Sequence, residues 1–76
     1  KEAVVKCNAE IVPGTILPSP LRKLGKVRLG EELFAVSSVR PFGGLVQISA
    51  RRICDGKHYR FEAWQSQNFL EVSRVY

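Results

Sequence analysis

"LVQISARRICDGKHYRFEAW", residues 45–64, decides the fold. Val46, Ile48 and Ala50 alternate with Gln47, Ser49 and Arg51. Further on, Tyr59, Phe61 and Ala63 alternate with His58, Arg60 and Glu62. A period of two sends one set to a core and the other to solvent, the pattern of half-buried strands. Asp55-Gly56 lies between the two runs. It is a hairpin signal, because a type I′ turn needs positive φ at both central residues. Two antiparallel strands joined by a tight turn follow.

Outward from this hairpin the alternation continues. "SQN" turns the chain at 66–68 and "FLEVSRVY" closes it as a last strand. Upstream, "RPFGG" at 40–44 reads as a turn. In "GKVRLGEELFAVSS", Val27 and Leu29 alternate with Lys26 and Arg28, Gly30 breaks the run, and Phe34 and Val36 resume it. That is two short strands, or one strand bent at a glycine bulge. "PGTILPSP" at 13–20 holds three prolines and a glycine, so it is neither a central strand nor a helix interior, and it reads as a surface loop. Nearer the N-terminus, Val5, Cys7, Ala9 and Ile11 alternate with Lys6, Asn8 and Glu10, which predicts another half-buried strand. Five or six short strands with no sustained helical period give an all-β single domain over 1–76, a small sandwich or barrel.

Hydrophobic residues make up 45% of the chain and charged residues 25%, which is globular rather than disordered. No apolar run is long enough to span a membrane. The chain starts at Lys1 rather than Met, which suggests a processed or trimmed product. The net charge of +5 favours acidic partners (nucleic acid, anionic lipid or an acidic protein surface), and plain solubility is the competing explanation.

Cys7 and Cys54 are the two cysteines, and His58, the one histidine, follows Cys54 by four residues. A cysteine nucleophile needs a base held by a third group. His58 lies across the hairpin from Cys54, but there is no second histidine and no motif around the cysteine. Structural zinc wants four ligands, typically in paired short-spaced units, and the spacing here offers none. An even cysteine count in a small domain fits a staple better, with Cys7 on the first strand and Cys54 at the hairpin. Two buried free thiols are the alternative. On this reading the catalytic and metal sites are both empty sets, and no cofactor is expected.

The order of elements is also familiar. A cysteine starts the first strand in "KCNAEIV", a Gly/Pro-rich loop follows, then "KVRLG", two further strands, and a second cysteine in the next turn. This resembles the MAX effectors (Magnaporthe avirulence and ToxB-like), small proteins secreted by plant-pathogenic fungi. The resemblance implies a six-stranded β-sandwich of two antiparallel three-stranded sheets. It also implies a disulfide from the first strand to the loop between strands four and five, where Cys7 and Cys54 fall. Carried onto this chain, the strands are 3–12, 26–30, 31–38, 44–52, 58–65 and 69–75. It further implies no common catalytic activity. The implied protein is monomeric, secreted and then active in the host cytoplasm. It would bind host plant proteins, among them immune receptors with heavy-metal-associated domains, through an exposed strand edge.

One basic stretch fits such an edge. "LRKLGKVRLG" carries Arg22, Lys23, Lys26 and Arg28, and no acid lies between Glu10 and Glu31. Lys26 and Arg28 share one face, opposite Val27 and Leu29. Arg22, Lys23, Lys26, Val27, Arg28 and Leu29 are therefore the expected partner-binding residues, with a solvated face as the bland alternative. Phe34, Tyr59 and Phe61 fall on the core side. Trp64 falls on the side of Arg60 and Glu62, as an exposed anchor or a cover for a sheet edge. A nucleic-acid-binding β-barrel with a reduced cysteine pair is the runner-up, and an enzyme comes third.

Overall fold

A computed structural model describes residues 7–76. Six strands form: β1 (Ile16–Pro18), β2 (Lys26–Leu29), β3 (Glu32–Phe42), β4 (Leu45–Arg52), β5 (His58–Gln65) and β6 (Phe69–Val75). There is no helix among the described residues. Every pairing is antiparallel and the order is β1-β6-β5-β4-β3-β2. The expected six-stranded antiparallel all-β fold with one disulfide is therefore present. The ladder runs unbroken through all six strands, so the two expected three-stranded layers are joined in one nearly closed sheet.

Its curl has a local cause. The register slips between Val36 and Ser38 on β3, and again where Glu62-Ala63 of β5 meets Arg74 and Val72 of β6. The extra residues are Ser37 and Ser73. Each donates its hydroxyl to the neighbouring strand, Ser37 to the Ser49 carbonyl at 3.1 Å and Ser73 to the Glu62 carbonyl at 3.4 Å. A bulge bends its strand and sharpens the local twist, and here two of them help wrap the sheet.

The alternating residues fill the wrapped interior. Val27, Phe34, Val36, Val46, Ile48, Ala50, Tyr59, Phe61, Ala63, Leu70 and Val72 are buried, with Ile11 and Leu17 closing over them. The Phe34 and Tyr59 rings meet edge to face at 5.7 Å. Burying a large apolar side chain contributes about 1.5–3 kcal/mol, so this set is the main favourable term of the fold.

Three local expectations change. First, of the strand expected at 3–12, residues 3–6 lie outside the described residues and 7–12 join no ladder. The edge of β6 is taken by β1 instead, from within the stretch read as a loop. Pro13-Gly14 makes the turn that delivers it: Thr15 N–H donates to Val12 O at 3.0 Å, and Gly14 has φ +95°. Pro18 is tolerated because β1 is an edge strand. Three residues of this segment find side-chain partners for their backbone: Asn8 and Ala9 N–H on the Glu32 carboxylate, and Val12 N–H on Thr15 Oγ1 at 3.0 Å.

Second, Arg40, Pro41 and Phe42 belong to β3, and the turn is Gly43-Gly44 alone. Third, β4 and β5 are joined by five residues, 53–57, and of Asp55-Gly56 only Gly56 has positive φ (+77°). The tight type I′ turn is replaced because Asp55 is used elsewhere, as the partner of a buried arginine.

Candidate partner-binding edge

β2 ends the sheet. It pairs with β3 on one side, and no ladder joins its other side to β1 among the described residues. The pattern of that edge follows from two bonds just before it: Leu24 N–H donates to Val36 O and Val36 N–H donates to Gly25 O, both at 2.9 Å. In an antiparallel ladder the bonded pairs recur every second residue. Val27 and Leu29 therefore bond to β3, and the main-chain groups of Lys26 and Arg28 face outward.

Side chains follow the same alternation. Lys26 and Arg28 are exposed, Val27 is only 4% exposed in the core, and Leu29 is half buried against it. Of the expected binding residues, Val27 thus belongs to the core, and its side chain offers a partner little surface. Arg22 and Lys23 sit exposed in the preceding turn, closed by Gly25 N–H on Arg22 O at 2.9 Å. Among the described residues none of these four cations makes an ion pair. A cleft of about 180 Å³ runs beside them, lined by Leu21, Arg22, Lys26, Val27 and Val36 among others.

Leu24 was not singled out by the sequence. It occupies the same turn with φ +70°, the one non-glycine residue with positive φ among the described residues, and is 85% exposed. That backbone region disfavours a side chain, and the leucine gains little burial in return. No sequence signal marked it beyond its place between two basic pairs.

The cysteines are joined. Cys7 and Cys54 form a disulfide with Cα atoms 6.2 Å apart. The Cys54 sulfur is therefore not a thiol that His58 could activate, and His58 lies exposed on β5 opposite Arg51. Cys7, Cys54 and Asp55 place ligand-type atoms within 4.8 Å of one another, but both sulfurs are in the bridge.

Asp55 is held by Arg52, whose Nε and Nη2 reach its two carboxylate oxygens at 3.0 and 2.7 Å. The third nitrogen, Nη1, donates to Ala9 O at 2.6 Å, and the guanidinium stands 5.8 Å from the Tyr59 ring centre. Arg52 is buried because it is the next inward position of β4 after Ala50. The Arg52 hydrogen bonds and the Lys57 N–H at 3.0 Å pull the Asp55 carboxyl down to about 2, and the same pair raises Arg52 above its ordinary value. This cluster clasps the N-terminal segment beside the disulfide. No helix is long and apolar enough to cross a membrane. No protein-family model, curated protein or solved structure matches the chain.

Proposed function

We propose that the chain is a binding protein of the kind the MAX-effector resemblance implies: a secreted fungal effector that engages a host plant protein by strand addition to β2. The observation that carries this is the edge of β2, which no other strand pairs among the described residues and which offers the N–H and C=O groups of Lys26 and Arg28. An extended segment of the partner would continue the sheet through those groups. Arg22, Lys23, Lys26 and Arg28 would favour an acidic segment and raise its on-rate, more so at low salt. No catalytic step is assigned to the protein.

The test uses purified plant heavy-metal-associated domains in a kinetic binding assay. Lys26→Glu with Arg28→Glu should slow association strongly. Arg28→Pro removes an outward N–H and should weaken binding well beyond Arg28→Ala, which removes only the charge. Val27→Pro would not serve, because the Val27 N–H faces β3. Absence of binding to every such domain, or equal affinity for Arg28→Pro and Arg28→Ala with the fold intact by circular dichroism, rules the edge mechanism out.

A further inference from the structure

The convex face of the sheet carries a second set of features, remote in sequence from β2. Cross-strand register places Phe42, Leu45, Trp64, Glu71 and Ile16 in one row across five strands. Phe42 is 68% exposed and Trp64 53%. A Cβ at Gly44 would lie 3.4 Å from the Trp64 ring, so one edge of the ring lies against the Gly44 backbone while about half of the residue stays exposed.

The next row holds Arg40, Gln47, Glu62 and Arg74, and the one after it Ser38, Ser49 and Arg60, with Tyr76 N–H on Arg60 O. A trough of about 270 Å³ runs along these rows between Arg40, Arg60 and Tyr76. The Arg40 and Arg60 side chains have no hydrogen-bond or ion-pair partner among the described residues. Glu62 is occupied by the Tyr76 hydroxyl and by Gln47 Nε2. Arg74 stacks 5.2 Å from the Tyr76 ring centre.

We infer that this face binds single-stranded nucleic acid, with phosphates in the arginine trough and a base stacked on Trp64. The reasoning is one of matched chemistry. Unpaired arginines beside serine hydroxyls suit phosphate oxygens, and an open aromatic ring suits any base. Trp64 lies four residues beyond Arg60 along β5, about 13 Å at the strand rise. That distance spans up to about four nucleotides at the helical spacing and fewer in an extended strand. An acidic peptide would satisfy the arginines but would leave the open ring without a planar partner.

Trp64 is the chain's one tryptophan, so its fluorescence reports on this site alone. The probes are a 12-nucleotide oligouridylate, an oligothymidylate of equal length, an abasic 12-mer and polyglutamate. The first two should quench Trp64. Two phosphate contacts, from Arg40 and Arg60, give a log–log salt slope near −1.4, or roughly a 7-fold loss of affinity between 50 and 200 mM salt. Trp64→Ala should lose about 5- to 150-fold by fluorescence anisotropy, and Trp64→Phe should restore most of it. Arg40→Ala and Arg60→Ala should each flatten the slope by about 0.7.

No oligonucleotide binding at 50 mM salt overturns the inference. So does equal binding of the abasic strand or polyglutamate without quenching, and so does binding that survives Trp64→Ala yet disappears with Lys26→Glu and Arg28→Glu. These outcomes are separate from the β2 edge test, because the two surfaces share no residue.

Discussion

Leu24→Gly should make the protein slightly more stable and a worse binder. An L-residue in the left-handed region costs about 1–2 kcal/mol, which glycine relieves. Glycine returns about 0.4–1 kcal/mol through the greater freedom of its unfolded chain. The leucine is 85% exposed, so the burial at stake is about 0.2–0.4 kcal/mol. The balance is a gain near 0.5 kcal/mol. Leu24→Ala keeps the strain and loses the small burial, so it should fall about 0.3 kcal/mol below the parent. Urea unfolding followed by far-ultraviolet circular dichroism resolves the two, because a slope near 1 kcal/mol per molar separates their midpoints by about 0.8 M. In complex, both variants forfeit a leucine contact of about 1.5–3 kcal/mol, roughly a 10- to 150-fold loss of affinity for a partner seated on the β2 edge. A glycine variant less stable than the alanine variant refutes the backbone reasoning. Unchanged partner affinity in both shows that the partner makes no contact with Leu24.

Replacing Cys7 and Cys54 by serine should cost about 4 kcal/mol on the chain-entropy relation, since the bridge spans 47 residues; an unchanged urea midpoint would refute the staple. Tyr59→Phe should raise stability by about 1 kcal/mol, because the Tyr59 hydroxyl is buried with no hydrogen-bond partner among the described residues and phenylalanine keeps the ring contact with Phe34. A loss on calorimetry would show that the hydroxyl is satisfied in solution. Acid should weaken the clasp: Asp55 titrates at about 2 in the folded chain against 3.8 ordinarily, so its contribution is complete above pH 4 and disappears as pH falls through 2. Asp55→Asn should therefore flatten the stability profile between pH 4 and 2, and an unaltered profile would place the acid sensitivity elsewhere.

The strands from 26 onward were legible because each has a buried face and an exposed one, and a two-residue period reports that contrast directly. The N-terminal strand was misread for the same reason. Ile11 is buried and Val12 exposed, but the alternation there reflects packing of an irregular segment over the open end of the sheet. Periodicity records which side chains are buried, not where backbone donors go, and those of Asn8, Ala9 and Val12 go to Glu32 and Thr15 side chains. The bulges were invisible because one inserted serine shifts the register without breaking polarity. The basic half of the edge was legible as a charge run, whereas the left-handed Leu24 was not, since leucine carries no preference for that conformation. The Phe42–Trp64 row depends on cross-strand register, which no single strand encodes.

The β2 edge is also the place where this fold is most exposed to its own copies. A nearly closed sheet has one seam, and an unpaired strand there is a template for any second copy. An antiparallel β2–β2 pairing centred on Val27 would set Lys26 of one copy opposite Arg28 of the other, twice over. Like charges directly opposite destabilise a ladder, and Arg22 and Lys23 add to the repulsion at each end. The same four cations that discourage self-pairing are complementary to an acidic segment. If the proposed strand addition holds, protection of the edge and selection of a partner would come from a single arrangement: short strand, outward cations, inward Val27. Leu24 is not needed for the protection. A protective edge requires charge, not an exposed leucine in a disfavoured backbone conformation, so Leu24 is the feature that argues for recognition over mere shielding.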